Sequence, residues 1–292
     1  MPINTREPEK VTSILEIFDI VTRERKVIRE FPFLIEAPDW APDGKHLVYN
    51  SEGLIYKLAI ASPNKEELID TGFATKCNND HLVSPDGKWL AISHRSLPEG
   101  KPTIFALPSG GGMPRQVTPS LPSYLHGWSP DSKKLTYCAN RNGEMDVYTI
   151  NLDGSEETRL TTSEGLNDGP EYSPDGQFIW FNSVRTGLMQ IWRMKVDGSE
   201  QTQITFDEDH NSWFPHLSPD GEHVVYVAYR KGDLEPHEHL RYKNVELRMI
   251  PKNGSEPKTL IKLFGGQGSL NVNSWSPDSK QFAFVSFRLK YQ

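Results

Sequence analysis

Ahead of six copies of a Pro-Asp pair, the sequence places short runs of side chains able to bind a cation or move a proton. They read Glu36-Ala37-Pro38-Asp39, Asn79-Asp80-His81, Tyr124-Leu125-His126, Asn167-Asp168-Gly169-Pro170, Ser212-Trp213-Phe214-Pro215-His216 and Asn271-Val272-Asn273. Carboxylate and amide oxygens in such a set suit a hard divalent cation. Imidazoles brought together from separate segments suit a transition metal instead. His81 and His126 each stand four residues before their proline, Pro85 and Pro130, so they are expected to face one ligand between them. The residues expected to contact a ligand are Glu36, Asp80, His81, His126, Asp168, His216 and His237. Asp, Asn and Ser also stabilise tight loops, so each one alone has an architectural explanation. The set as a whole reads as a binding mouth with room for a divalent cation.

Three further features compete for a role. The stretch Arg230 to Asn244, RKGDLEPHEHLRYKN, holds His237 and His239 around Glu238. His-x-His spacing on an extended segment can serve one metal, and a long irregular loop can act as a lid or a docking element, while a charged solvated loop needs neither. Arg95, Arg141, Arg185, Arg230 and Arg288 recur at one position. They would suit a small acidic ligand if they converged. Their regular recurrence favours arginines that each bond loop groups of their own repeat. Cys77 and Cys138 have no base beside them and no Cys-x-x-Cys partner, so they read as inert and unbridged. There is no G-x-S-x-G elbow, and no catalytic constellation stands out.

The elements that must position these groups follow from a repeat. APDG at Ala41 to Gly44 recurs as SPDG or SPDS at Ser84, Ser129, Ser173, Ser218 and Ser276. Successive prolines are 43, 45, 44, 45 and 58 residues apart. Pro pre-sets φ, Asp bonds its own backbone and Gly accepts positive φ, so each copy is a tight turn. Runs rich in β-branched and aromatic residues flank it, such as HLVYN from His46 and FIWFNS from Phe178. A third run follows, carrying Tyr56, Phe105, Tyr148 or Trp192 as expected inter-blade core. Then comes a hairpin signal such as Asp153-Gly154 or Asp197-Gly198, and a fourth short strand. Four antiparallel strands per unit of this length predict a blade of a β-propeller.

The predicted fold is all-β: one six-bladed β-propeller domain over residues 1–292. It carries an N-terminal extension at 1–12 and an inserted loop at 230–244. Segments from Ser13 and Arg25 supply a third and a fourth strand, and Val272 to Phe287 supplies a first and a second. The ring should therefore close by pairing N-terminal with C-terminal strands, which leaves no open sheet edge. Chain direction puts the near-identical signature turns on one face, the bottom. The irregular loops and the entries to the innermost strands lie on the other, the top.

The run Trp128 to Thr161, WSPDSKKLTYCANRNGEMDVYTINLDGSEETRLT, resembles the repeat of the TolB family, and the likeness extends over Ser13 to Phe287. The resemblance implies a six-bladed propeller that binds a protein partner through its propeller. TolB itself is periplasmic and carries an additional N-terminal domain. Similar repeats form the propeller of prolyl oligopeptidase-type enzymes, which need an α/β-hydrolase domain with a nucleophile elbow. The expected function is a protein- or peptide-binding module acting through the channel mouth. The alternative is a metal-dependent hydrolase or lyase on a carbohydrate or lactone, using the His/Asp/Glu collar.

Composition narrows the partners. The 292 residues include 36% hydrophobic and 10% aromatic residues, enough to build a core rather than a disordered chain. A net charge of −7 argues against a nucleic-acid partner. No apolar run is long enough to span a membrane as a helix. The first twenty residues carry Arg6, Glu7, Glu9 and Lys10 and no apolar signal core, from which a cytoplasmic location is expected.

Overall fold

The computed structural model describes residues 11–289 except 142 and 255. Six antiparallel sheets stand around a channel. From the channel outwards, the first blade is Glu36–Trp40, His46–Ser51, Leu54–Ala59 and Glu66–Leu68. The second is Cys77–Val83, Trp89–Ser96, Lys101–Pro108 and Arg115–Gln116. The third is Ser123–Trp128, Lys134–Asn140, Met145–Asn151 and Thr158–Arg159. The fourth is Asn167–Tyr172, Phe178–Thr186, Leu188–Lys195 and Thr202–Gln203. The fifth is His210–Leu217, His223–Arg230, Arg241–Pro251 and Lys258–Gly266. No helix among the described residues is long and apolar enough to cross a membrane.

The sixth blade joins the two ends of the chain. Val11–Asp19 lies between Gln281–Leu289 and Arg25–Phe31, paired continuously from Val11 opposite Leu289 to Asp19 opposite Gln281. Residues 1–10 of the expected extension lie outside the described residues, whereas Val11 and Thr12 already belong to the closing strand. The innermost strand of this blade is reduced to one bridge, Trp275 to Phe282. The ladder bonds that remain are Ser276 N to Gln281 O and Ala283 N to Ser274 O, and the approach to them is shaped by local side-chain bonds, with Asn271 Oδ1 accepting from Gly268 N and Asn273 Oδ1 from Trp275 N.

Five of the six signature turns share one serine-to-aspartate bridge, and the first has Ala41 in place of the serine. At the second copy Ser84 Oγ donates to Asp86 Oδ1 at 2.7 Å and accepts from Trp89 N at 3.0 Å. Gly87 sits at φ +73° and donates its N–H to Ser84 O. Two copies place Ser where the others have Gly, and Ser132 and Ser279 adopt φ of +60° and +62°. The strain has a counterpart. Ser132 Oγ accepts from Asp86 N at 3.1 Å, and Ser279 Oγ accepts from Asp220 N at 2.9 Å, so these hydroxyls tie one blade's turn to the preceding blade's.

Apolar faces meet between the blades. Leu82, Ala91, Leu125, Trp128, Tyr137 and Tyr148 form one such cluster of the second and third blades. Trp128 is buried and its indole N–H donates to Leu82 O in the preceding blade at 3.1 Å; Trp275 does the same toward His216 O. Trp40 is the third buried tryptophan of this position. Phe105 and Tyr148 are buried, and Tyr56 and Trp192 pack partly buried against the same kind of core.

Candidate functional site

Every innermost strand of the first five blades carries a register break. The breaks fall between Glu36 and Asp39, Cys77 and His81, Leu125 and Gly127, Asp168 and Glu171, and Trp213 and His216. A bulge re-aims the side chains on it and frees them from the alternation of the strand. Pro38, Pro170 and Pro215 fall inside these breaks, as expected for a residue that cannot donate to a ladder. Ala37 and Phe214 take up positive φ there. Their backbone groups find partners across the blades: Phe214 N donates to Asn182 Oδ1 and Pro170 O accepts from Thr136 Oγ1. Gly127, beside His126, is fixed by space, because a Cβ would stand 2.5 Å from Thr136 Oγ1.

The bulges deliver side chains to a top cavity of about 620 Å³. Its wall includes Glu36, Asp80, His126 and Asp168, four of the residues singled out from sequence, together with Arg95 and Arg241. At its base His126 Nε2 lies 3.0 Å from Asp168 Oδ1. The thiol of Cys138, on the second strand of the third blade, also bonds Asp168. One donor atom from each of His126, Cys138 and Asp168 lies within 4.8 Å of the others, and all three residues are buried. Phe214 stacks on the His126 ring at 5.7 Å between centroids.

These groups perturb one another. Burial works against a charged His126, but the Asp168 carboxylate outweighs it and raises the imidazole above its ordinary value. Burial likewise opposes a charged Asp168, yet His126, His239 and the Cys138 thiol hold its carboxyl well below the usual range. Each group thus favours the charged form of the other. Asp80 is pushed up to about 6, first by burial and then by Asp168, against the pull of His126 and Asn78. Burial and Asp168 push the Cys138 thiol well above its ordinary value.

Other expected contacts are placed elsewhere. His81 is fully buried, with Nε2 3.3 Å from Val48 O of the first blade, and does not line the cavity. The irregular stretch in its strand ends before it, so His81 stands in regular register opposite Ile92, whereas His126 is itself the bulged residue. The equal distance to the proline does not bring the two rings together. His216 is held by Glu171 Oε2 at 2.8 Å and by Leu270 O, inside the wall below the collar. Glu171 is in turn bonded by Leu217 N and Asn273 Nδ2. His237 is exposed; the neighbouring His239 lines the mouth instead. His239 lies against Trp213 at 4.3 Å and Phe214 at 5.1 Å between centroids, with Nε2 3.9 Å from Asp168 Oδ2. The inserted loop thus reaches over the channel. Cys138, read as inert from sequence, is part of the cluster.

Four of the five recurring arginines, Arg95, Arg141, Arg185 and Arg288, bond groups of their own blades, and Arg95 also lines the top cavity. Arg141 bonds Pro122 O and Ser123 Oγ; Arg185 bonds Ser183 Oγ, Asn167 Oδ1 and Gln201 Oε1; Arg95 reaches Gly100 O. The opposite end of the channel opens into a cavity of about 440 Å³, lined by the six signature prolines and by Trp40, Trp128 and Trp275. Its wall is near-symmetric and mainly apolar. His126 lines both cavities and so marks the waist between them.

Comparison with known proteins agrees with this architecture. Residues 124–248 match the TolB beta propeller domain family. An uncharacterized protein of Agrobacterium fabrum, Atu1656, is 50% identical over 285 residues, spanning 98% of this chain and 96% of its own. A solved structure from Agrobacterium tumefaciens, described as a candidate TolB, superposes with a TM-score of 0.91 at 51% identity and covers 95% of this chain and 99% of that one. TolB from Acinetobacter baumannii superposes with a TM-score of 0.69 at 21% identity, over 88% of this chain and 64% of that one, which establishes a shared fold.

Proposed function

This chain belongs to the TolB-like β-propeller family, and from that premise we propose that it recognises a protein or peptide segment through the top mouth of its channel. One observation carries the reading: the two ends of the channel are chemically unequal. The bottom is mainly apolar and repetitive, with six copies of one proline and three of one tryptophan beside the few polar groups of Asp39, Glu171 and Asn273. The top presents unlike groups: carboxylates at Glu36 and Asp80, guanidinium groups at Arg95 and Arg241, an imidazole at His239, amides at Asn78 and Asn271 and a ring at Phe214. An asymmetric segment needs unlike partners placed in fixed positions around it, and irregular loops on a rigid scaffold supply them. Mixed polar and aromatic surface is also what protein interfaces use for orientation and anchoring.

A library of random peptides displayed on phage, selected against the purified protein, tests this. Selected peptides should bind the parent chain and lose at least about tenfold in affinity to Asp80→Asn, the loss of one charge-assisted hydrogen bond. Pro130→Ala on the bottom rim should leave affinity unchanged. Peptides that ignore Asp80→Asn and respond to the bottom rim would overturn the reading.

A further inference from the structure

We propose that His126, Cys138 and Asp168 form a binding site for one zinc ion, with a fourth coordination position open to the top cavity. Four observations support the site. The three donor atoms lie within 4.8 Å of one another. A tetrahedral zinc with ordinary Zn–N, Zn–O and Zn–S bonds has edges of roughly 3.3–3.8 Å, so a small closure completes the triangle. The residues come from separate, rigid elements: a bulge in the third blade's innermost strand, the strand beside it, and the entry to the fourth blade. All three are buried, so their side chains are held in place rather than recruited from solvent. Finally, the site has an open side, because His126, Cys138 and Asp168 all line the same cavity.

The bonding pattern gives the chemical reason. The imidazole Nε2 and the thiol both converge on the Asp168 carboxylate. A zinc ion entering that triangle takes the place of protons: the thiol proton and the proton between His126 Nε2 and Asp168 leave to solvent, and the three lone pairs turn to the metal. A thiolate with an imidazole and a carboxylate is a donor set for zinc or cobalt, and the sulfur disfavours magnesium, calcium and manganese. Three protein ligands leave the fourth position for water or for a donor of an incoming ligand. His239, 3.9 Å from Asp168 Oδ2 and packed on Trp213, is placed to orient the carboxylate from outside. The site does not depend on peptide recognition, since metal occupancy and peptide affinity are measured separately.

The test is a titration of the chelator-treated protein with cobalt(II), followed by displacement with zinc. One equivalent should bind and produce a near-ultraviolet sulfur-to-cobalt charge-transfer band together with the visible bands of a four-coordinate ion; zinc should abolish both. Cys138→Ser should remove the charge-transfer band, and His126→Ala or Asp168→Asn should weaken binding by more than about 100-fold, beyond the loss of a merely orienting partner. Cys77→Ser should leave the spectrum intact. X-ray absorption of the zinc-loaded parent protein gives a readout independent of any variant and should show a single sulfur at about 2.3 Å. A parent protein without the charge-transfer band, a band that survives Cys138→Ser, or a zinc shell without sulfur would overturn the proposal.

Discussion

Acidification should weaken this propeller through one buried imidazole, and His81→Gln should remove that part of the effect. His81 is enclosed between the first and second blades, and its Nδ1 has no hydrogen-bond partner among the described residues. Burial lowers its pKa from 6.5 to about 4, with the Val48 carbonyl pulling weakly the other way. The folded chain therefore keeps a neutral ring down to that pH, while the unfolded chain takes up a proton as pH falls through 6.5. The stability involved is fully present above 6.5 and is lost progressively toward 4. The full shift corresponds to about 3 kcal/mol, and most of it is lost by pH 4.5. Glutamine can still donate to Val48 O and does not titrate. Urea unfolding of parent and variant at pH 7.5 and pH 4.5 separates His81 from the carboxylates, which both proteins share. The stability difference between the two should move by about 2–3 kcal/mol in favour of the variant at the lower pH. A difference that stays constant, or an NMR titration of His81 near 6.5, would refute the placement of this ring.

Trp128→Ala should lower unfolding stability by roughly 3–5 kcal/mol, because it empties a buried site and removes the indole's bond to Leu82 O; a loss under about 1 kcal/mol would show that the indole is not inter-blade core. Ser132→Ala should cost about 1–2 kcal/mol by thermal unfolding, since it keeps the positive φ and loses the bond from Asp86 N, while Ser132→Gly should cost less because it relieves the backbone. Equal costs for the two substitutions would separate the strain from the turn-to-turn bond and contradict that account.

The architecture was legible because the signature carries its own mechanism. Six Pro-Asp turns at one period fix six hairpins, and half-blades at the two ends can only complete each other, as the pairing of Val11–Asp19 with Gln281–Leu289 shows. What the period hides is the place of each bulge. His81 and His126 are equivalent by counting, yet the break in one strand ends before the histidine and in the other falls on it, so one ring turns to a neighbouring blade and the other to the channel. Pro38, Pro170 and Pro215 were signals for three of the breaks; the second and third blades offer no proline there. Cys138 was missed because its partners come from the opposite strand and the next blade, not from its sequence neighbours. A hairpin count back from the SPDS turn places it opposite Leu125, next to His126, and the bulge at His126 moves it one residue further, opposite Tyr124. His239 was passed over for His237 because alternation along an irregular loop carries no period; packing on Trp213 decided which of the two faces the mouth. The innermost strand expected in the sixth blade is reduced to one bridge, and asparagine side chains bond the backbone locally on the approach to it.

Hydrogen exchange on the protein with its tightest phage-selected peptide tests the central claim most directly, since it reports which end of the channel is covered. Protection on binding should appear in segments 77–81, 123–126, 167–169 and 237–241, and the six signature turns should exchange as in the free protein. Protection confined to the signature turns, with the top segments unchanged, would contradict recognition through the top mouth.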